Sequence, residues 1–200
     1  MKIVEPSVEL LWITPEPEIQ IESAGRTCYK SEDKITEDSA GKFVEKLRDS
    51  GHHAMPEYDA ASFRIITDRG ITHEIVRHRI ASYAQESTRY CNFSDSKFGS
   101  QCSFIEPPNL TEQQRKPWEQ ACLISEAYYF ELLREGCSPQ IARSVLPNCL
   151  KTEIVMTANM REWMHFIRLR SSKAAHPQIQ PIAKEILLQL TKYAPSIFGD

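Results

Sequence analysis

No Cys-x-x-Cys pair and no zinc-finger spacing occurs among the six cysteines at 28, 91, 102, 122, 137 and 149, so they do not spell a zinc site or a thioredoxin-like motif. The N-terminus, MKIVEPSVEL, lacks the apolar core of a signal peptide, and no apolar run reaches transmembrane length. Together these absences predict reduced thiols in a cytoplasmic protein with no membrane partner. Glycine-rich dinucleotide and phosphate-loop motifs are missing too, which removes most nucleotide-cofactor folds. There is no strong basic excess: a net charge of −3 argues against a general nucleic-acid binder, whose domain is typically strongly basic. With no repeat, low-complexity tract or linker in 200 residues, the chain reads as one domain, 1–200, long enough to bury a sizeable core.

What is present is concentrated chemistry. Residues Arg77 to Tyr90 read RHRIASYAQESTRY, with three arginines, one histidine, three Ser/Thr hydroxyls and two tyrosines. Each arginine carries a planar fork of donors suited to phosphate or carboxylate. A solvated helix face would more commonly mix Lys with Glu at helical spacing. The run is therefore read as a loop that grips a phosphorylated ligand, against the bland alternative of an exposed polar turn.

The elements around it follow from periodicity and capping. Residues 2–13 form one or two short strands broken by Pro6, and Glu16 to about Tyr29 a first helix. Thr36 opens a second helix, with Phe43, Val44 and Leu47 on one face, closing near Gly51. Ser62–Thr67 has strand character, and Asp68 caps a helix that delivers Arg77 at its C-terminal end. The polar stretch from Cys91 to Leu110 reads as a long surface connection. Thr111 and Gln114 make a capping box for a helix to about Glu135, with Trp118, Cys122, Ser125, Tyr129, Leu132 and Leu133 as its buried stripe. Ser138 and Pro139 open a short helix that carries Arg143. Residues 149–157 form a strand, Ala158–Arg170 a helix, and Pro177 to about Tyr193 a final amphipathic helix. His52, His53 and Glu57 invite a metal reading, but HHxxxE lacks the spacing of a helical zinc site, and no metal is expected.

The Arg77–Tyr90 run resembles the signature of the flavin-dependent thymidylate synthases: Arg-His-Arg, two residues, Ser, four residues, Ser, one residue, Arg, usually then Tyr. Arg77, His78, Arg79, Ser82, Ser87, Arg89 and Tyr90 fall on it without a gap. Asn159 and Arg161, with His165 and Arg170, resemble a second family segment of the form Asn-x-Arg followed by Leu-Arg. His52 and Glu57 fall on a third, where Ala54 replaces a usual hydroxyl. Gly25 stands where alanine is usual, read as a small change.

The resemblance implies an α+β fold with a curved, largely antiparallel sheet, packed helices and sites shared between subunits of a homotetramer. It implies reductive methylation of dUMP to dTMP with FAD, NADPH and methylenetetrahydrofolate. Arg77, His78, Arg79, Gln85, Asn159, Arg161 and His165 would hold the flavin. Arg77, Gln85, Glu86, Ser87, Thr88, Arg89 and Arg143 would hold dUMP, with Glu74 at a position more often glutamine. Arg170 would be catalytic, holding the uracil ring. Two other readings use the same residues: a nucleotide-binding regulator without turnover, and a single-stranded RNA binder with tyrosine stacking platforms, against which the acidic charge speaks. Cys149, in VLPNCL, is read as a structural thiol rather than a nucleophile.

Overall fold

Pro6 separates β1 (Lys2–Ile3) from β2 (Ser7–Ile13), as a residue without a backbone donor should. The computed structural model describes residues 1–199. In chain order there follow α1 (Pro17–Tyr29), α2 (Ser39–Asp49), β3 (Ala60–Asp68), α3 (Arg69–Ile75), β4 (Ala81–Gln85), β5 (Ser103–Phe104), α4 (Glu112–Arg134), α5 (Pro139–Ala142), β6 (Lys151–Asn159), α6 (Met160–Arg170), α7 (Ile179–Thr191) and α8 (Pro195–Phe198). The fold is α+β.

One sheet is an open, four-stranded one of order β2-β3-β6-β4. Its antiparallel sense is visible in the contacts that tie strand ends to strand starts. The Thr14 N–H donates to the Ala60 carbonyl, Arg69 N–H to Leu150 O, and Glu86 N–H to Glu153 O. Along β6 buried and half-buried residues alternate through the whole strand, the period of two expected of a pleated element. A second pair, β1 with β5, is parallel, Lys2 facing Ser103. No helix among the described residues is long and apolar enough to cross a membrane.

The chain gathers into two compact units, and β3, β4 and β6 contribute residues to both. The first comprises Met1–Ser7, Ile65–Arg77 and Ala84–Ile154. Its core joins Phe93, Cys102, Phe104, Tyr129 and Leu150 with Cys122 of α4. The predicted capping box forms: Thr111 accepts from Gln114 N–H, and Gln114 reaches back to Thr111 N–H at 2.9 Å. Glu126, absent from the expected stripe, is buried on it. It accepts from Cys102 N–H at 2.7 Å and pairs with the N-terminal ammonium at 2.9 Å. Cys91–Leu110 is not wholly a surface connection, because Phe93, Cys102, Phe104 and Ile105 are buried and Ser103–Phe104 pairs as a strand.

The second unit comprises Val8–Arg64, His78–Tyr83 and the chain from Val155 on. Trp163 anchors it, stacking edge-on to Phe63 at 5.0 Å and donating its indole N–H to the Ala61 carbonyl at 3.1 Å. α7 buries Ile179, Ile182, Ala183, Ile186 and Leu190 at the i, i+3, i+4 spacing of the amphipathic helix, while Leu187, expected on the same stripe, is only half-buried. α2 begins three residues later than expected, because Ser39 Oγ takes the Thr36 N–H at 2.9 Å and Thr36–Asp38 becomes the turn before the helix. Gly25 is not a neutral stand-in for alanine: a Cβ there would lie 2.6 Å from Phe43 Cε1. The Arg26 guanidinium lies 4.4 Å over that same ring.

Candidate active site

The first unit gathers most of the residues expected to hold dUMP. Asp68 accepts from Ile71 N–H at 2.7 Å and starts α3, which carries half-buried Glu74 and ends just before exposed Arg77. The following segment is only partly a loop: Ala81–Gln85 is strand β4, at an edge of the sheet. Pairing with β6 removes the freedom that reading the whole Arg77–Tyr90 run as a loop assumed.

Gln85 donates to Thr72 Oγ1 at 3.0 Å and Thr152 Oγ1 at 3.3 Å. Glu86 pairs with Lys151 at 3.0 Å. Ser87 closes a turn, its carbonyl accepting from Tyr90 and Cys91 N–H and its Oγ from Arg89 N–H. Thr88 is buried and accepts from Arg143 Nη1 at 2.9 Å. Arg89 is exposed, 5.4 Å over the Tyr90 ring and 3.4 Å from Gln140 Oε1. Arg69 was not foreseen. Its Nη1 lies 3.4 Å from both Glu86 O and Thr152 Oγ1. Burial, then the neighbouring Arg143 charge, lower its pKa, with Glu86 opposing. Two cations that raise each other's cost in one neighbourhood favour an anion beside them.

The second unit holds a cavity of about 840 Å³. Its apolar walls include Ile80, Met164 and Leu187, while Asn159, Arg161, His165 and Arg168 bring donors. Asn159 also caps α6, its Oδ1 accepting from Glu162 N–H at 2.9 Å. Arg161 is ion-paired with Glu57 at the rim. Arg168 lies 3.3 Å from His165 Nδ1, and a guanidinium only donates, so that nitrogen accepts. His53 lines the cavity, whereas His52 is not among its lining residues.

His78 is buried, with its ring 4.8 Å from that of Phe166 and 5.4 Å from that of His165. Its Nδ1 lies 2.9 Å from Glu162 Oε1, and its Nε2 takes a hydrogen bond from Arg170 Nε at 3.0 Å. Burial, and after it the Arg170 charge, hold its pKa below the ordinary imidazole value against the pull of Glu162. His78, Glu162 and His165 could offer three ligand atoms within 4.8 Å of one another. Both His78 nitrogens are already engaged, however, and one faces a guanidinium, so the cluster reads as a hydrogen-bonded chain. Tyr83 donates to the His78 carbonyl, and burial foremost pushes its phenol up to about 12, keeping it a donor. Arg79 is exposed, and neither it nor Arg77 makes an ion pair or hydrogen bond with the described residues.

A family model described as thymidylate synthase complementing protein matches residues 9–196. A flavin-dependent thymidylate synthase of Geobacter sulfurreducens is 35% identical over 202 residues, covering 96% of this chain and 85% of the relative. The chain belongs to the flavin-dependent thymidylate synthase family. Another member, from Mycolicibacterium vanbaalenii, is 38% identical over 199 residues, covering 90% of this chain and 78% of its own. A solved structure of a UMP/dUMP methylase, PolB from Streptomyces cacaoi bound with 5-Br dUMP, has the same fold. Its TM-score is 0.81 at 22% identity, covering 99% of this chain and 95% of that one.

For this member of the family, the expected site residues sort by unit. Glu74, Arg77, Gln85, Glu86, Ser87, Thr88, Arg89 and Arg143 lie in the first; His78, Arg79, Asn159, Arg161, His165 and Arg170 lie in the second. Arg69, Lys151, Glu162 and Arg168 were missed. Glu162 sits in a first helical turn, where an acidic charge has an ordinary local explanation, whereas Arg69 opens α3 at the end that disfavours a cation, a signal that the sequence did offer.

Proposed function

We propose that the chain catalyses the reductive methylation of dUMP to dTMP, with methylenetetrahydrofolate as carbon donor and NADPH as reductant through FAD. The observation that carries this reading is the cavity in which apolar walls meet the donors of Asn159, Arg161, His165 and Arg168. A flavin needs that combination: a flat apolar ring system, and a pyrophosphate that forked guanidinium donors suit. The residues present fit the cofactor without a glycine-rich loop. When bound, FAD reduced by NADPH supplies the hydride that turns the transferred carbon into a methyl group.

The protein's part is binding, orientation and charge. Arg143, Arg89 and Arg77 supply forked donors for the dUMP phosphate, with Arg69 beside Arg143 adding positive field. Ser87, Thr88, Gln85, Glu86 and Glu74 complete the dUMP set, while Glu86 also anchors Lys151. Arg170 stabilises negative charge on the N3–O2 edge of uracil as C5 becomes nucleophilic. His78 contributes through Arg170, since both its ring nitrogens are engaged.

We further infer a cytoplasmic homotetramer whose sites are shared between subunits. Supporting this, α4 exposes Leu123, Ile124 and Tyr128 on its surface, apolar side chains at helical spacing that self-association would cover. Light scattering of the purified protein tests the assembly.

The test of function is direct. Protein reconstituted with FAD should be yellow, should bleach with NADPH without oxygen, and should then convert dUMP to dTMP when methylenetetrahydrofolate is added. A folded protein that takes up no flavin yet binds dUMP would instead be a nucleotide-binding regulator.

A further inference from the structure

The carboxylate of Glu162 does something its position does not require. As the third residue of α6, behind the Asn159 cap, it would ordinarily reach back to the cap's own N–H. It points instead at a histidine 84 residues away in sequence, 2.9 Å from His78 Nδ1. Both side chains are almost wholly out of solvent.

The proton on that imidazole can be placed by elimination. Arg170 Nε lies 3.0 Å from His78 Nε2, and a guanidinium has only donors, so Nε2 must be an acceptor. A neutral imidazole then carries its single proton on Nδ1, where Glu162 accepts it. A protonated ring would set an N–H against an N–H at Arg170. The ring packs against those of His165 and Phe166, and the residue's own carbonyl is tied by Tyr83. Glu162, accepting from Nδ1–H, and Arg170, donating to Nε2, therefore hold one and the same tautomer, and that tautomer gives Arg170 an acceptor for its Nε–H.

We propose that Glu162 is a positioning residue which, through His78, fixes the plane of the Arg170 guanidinium. This rests on the reading of Arg170 as the group that stabilises the uracil ring. Uracil presents its N3–O2 edge in one plane, so a guanidinium turned out of that plane would lose stabilisation of the developing charge without losing affinity for phosphate or flavin.

The experiment uses flavin-loaded protein with ring-¹⁵N histidine and labelled arginine, the His78 signals being assigned by their absence in His78→Asn. In the parent, Nδ1 should be protonated and Nε2 not, with a distinct Arg170 Nε–H signal. Glu162→Ala should move the proton toward Nε2 and shift the Arg170 Nε–H signal. It should also lower kcat for dTMP formation about tenfold to hundredfold, the scale of one charge-assisted hydrogen bond. Flavin content and the dUMP KM should hold. Glu162→Asp keeps the charge but draws the carboxylate back by one methylene, and should give the same pattern if the alanine variant fails to fold. Glu162→Gln still offers an oxygen to Nδ1–H and should restore both the tautomer and most of kcat. An Nε2–H tautomer in the parent would overturn the proposal. So would tautomer and kcat both surviving Glu162→Ala, or Glu162→Gln losing as much kcat as alanine with the tautomer intact. If the parent makes no dTMP, the reading of function fails, yet the nitrogen signals still decide whether Glu162 governs Arg170.

Discussion

Replacing Asp59 with asparagine should make this protein more stable at neutral pH. Asp59 sits just before β3, with its carboxylate buried and its Oδ2 without a hydrogen-bond partner. Its main-chain carbonyl accepts from Met160 N–H at 2.9 Å, so the residue joins β3 to the start of α6. Burial pushes its pKa up from 3.8 to about 6, with Thr14 pulling the other way. The sign follows from linkage: the folded state prefers the protonated acid, so this contribution is fully present below about pH 4 and is lost as pH rises through 6. At 1.36 kcal/mol per pH unit, the charged form costs roughly 3 kcal/mol above pH 6.

Asparagine has nearly the shape of the neutral acid and no charge to desolvate. At pH 7.5 the variant should gain about 1–3 kcal/mol, or several degrees in Tm, roughly 2–4 °C per kcal/mol for a chain of this size. At pH 4 the two proteins should agree. The assay is thermal or urea unfolding of parent and variant at half-unit steps from pH 4 to 8. The difference between the curves isolates Asp59 from other titrating groups such as His78, whose lowered pKa favours the folded state at higher pH. A variant no more stable than the parent at pH 7.5, or a difference that does not change across pH 4–6, would refute the reasoning.

Three predictions concern the chemistry. Arg170→Ala should keep its flavin, read from absorbance, while dTMP formation falls by roughly two orders of magnitude or more, the scale of losing one electrostatic stabiliser; near-normal turnover in a folded variant would remove Arg170 from the mechanism. Arg89→Lys should raise the dUMP KM because an ammonium cannot reproduce the fork, with flavin content unchanged; loss of flavin at constant dUMP affinity would mean the residue serves the other ligand. Cys149 has its sulfur 3.5 Å from Cys122 Sγ, packed against the core of the first unit. Cys149→Ser should convert dUMP within a few-fold of the parent rate, with about 1 kcal/mol lost in stability; abolished turnover, or a trapped cysteine–nucleotide adduct in the parent, would sink the flavin route.

Much of this architecture is set by residues that are neighbours in sequence. The Thr111–Gln114 box, the Asp68 cap and the Ile179–Leu190 stripe are local events. Each fixes its partner within three or four residues, which is why the helices they govern stand where the pattern puts them. The Arg77–Arg89 and Asn159–Arg170 segments carried the family in the same way, as side-chain types at fixed spacings.

Tertiary structure decided the rest. Ala81–Gln85 became a strand because β6, some 70 residues on, offers it an edge, and strand pairing gives no sign of itself within either partner. Phe93, Cys102 and Phe104 went inside because Cys122 and Tyr129 of α4, with Leu150 just before β6, build a core there. Glu126 could be buried on an apolar stripe only because the N-terminal ammonium and the Cys102 N–H reach it. Glu162, His78 and Arg170 read separately as a first-turn acid, a ligand and a catalytic cation. A buried charge tolerates its place only if partners satisfy it. Those partners lie 84 and 92 residues apart in the chain, so the bonds that join the three exist only once α6 has packed.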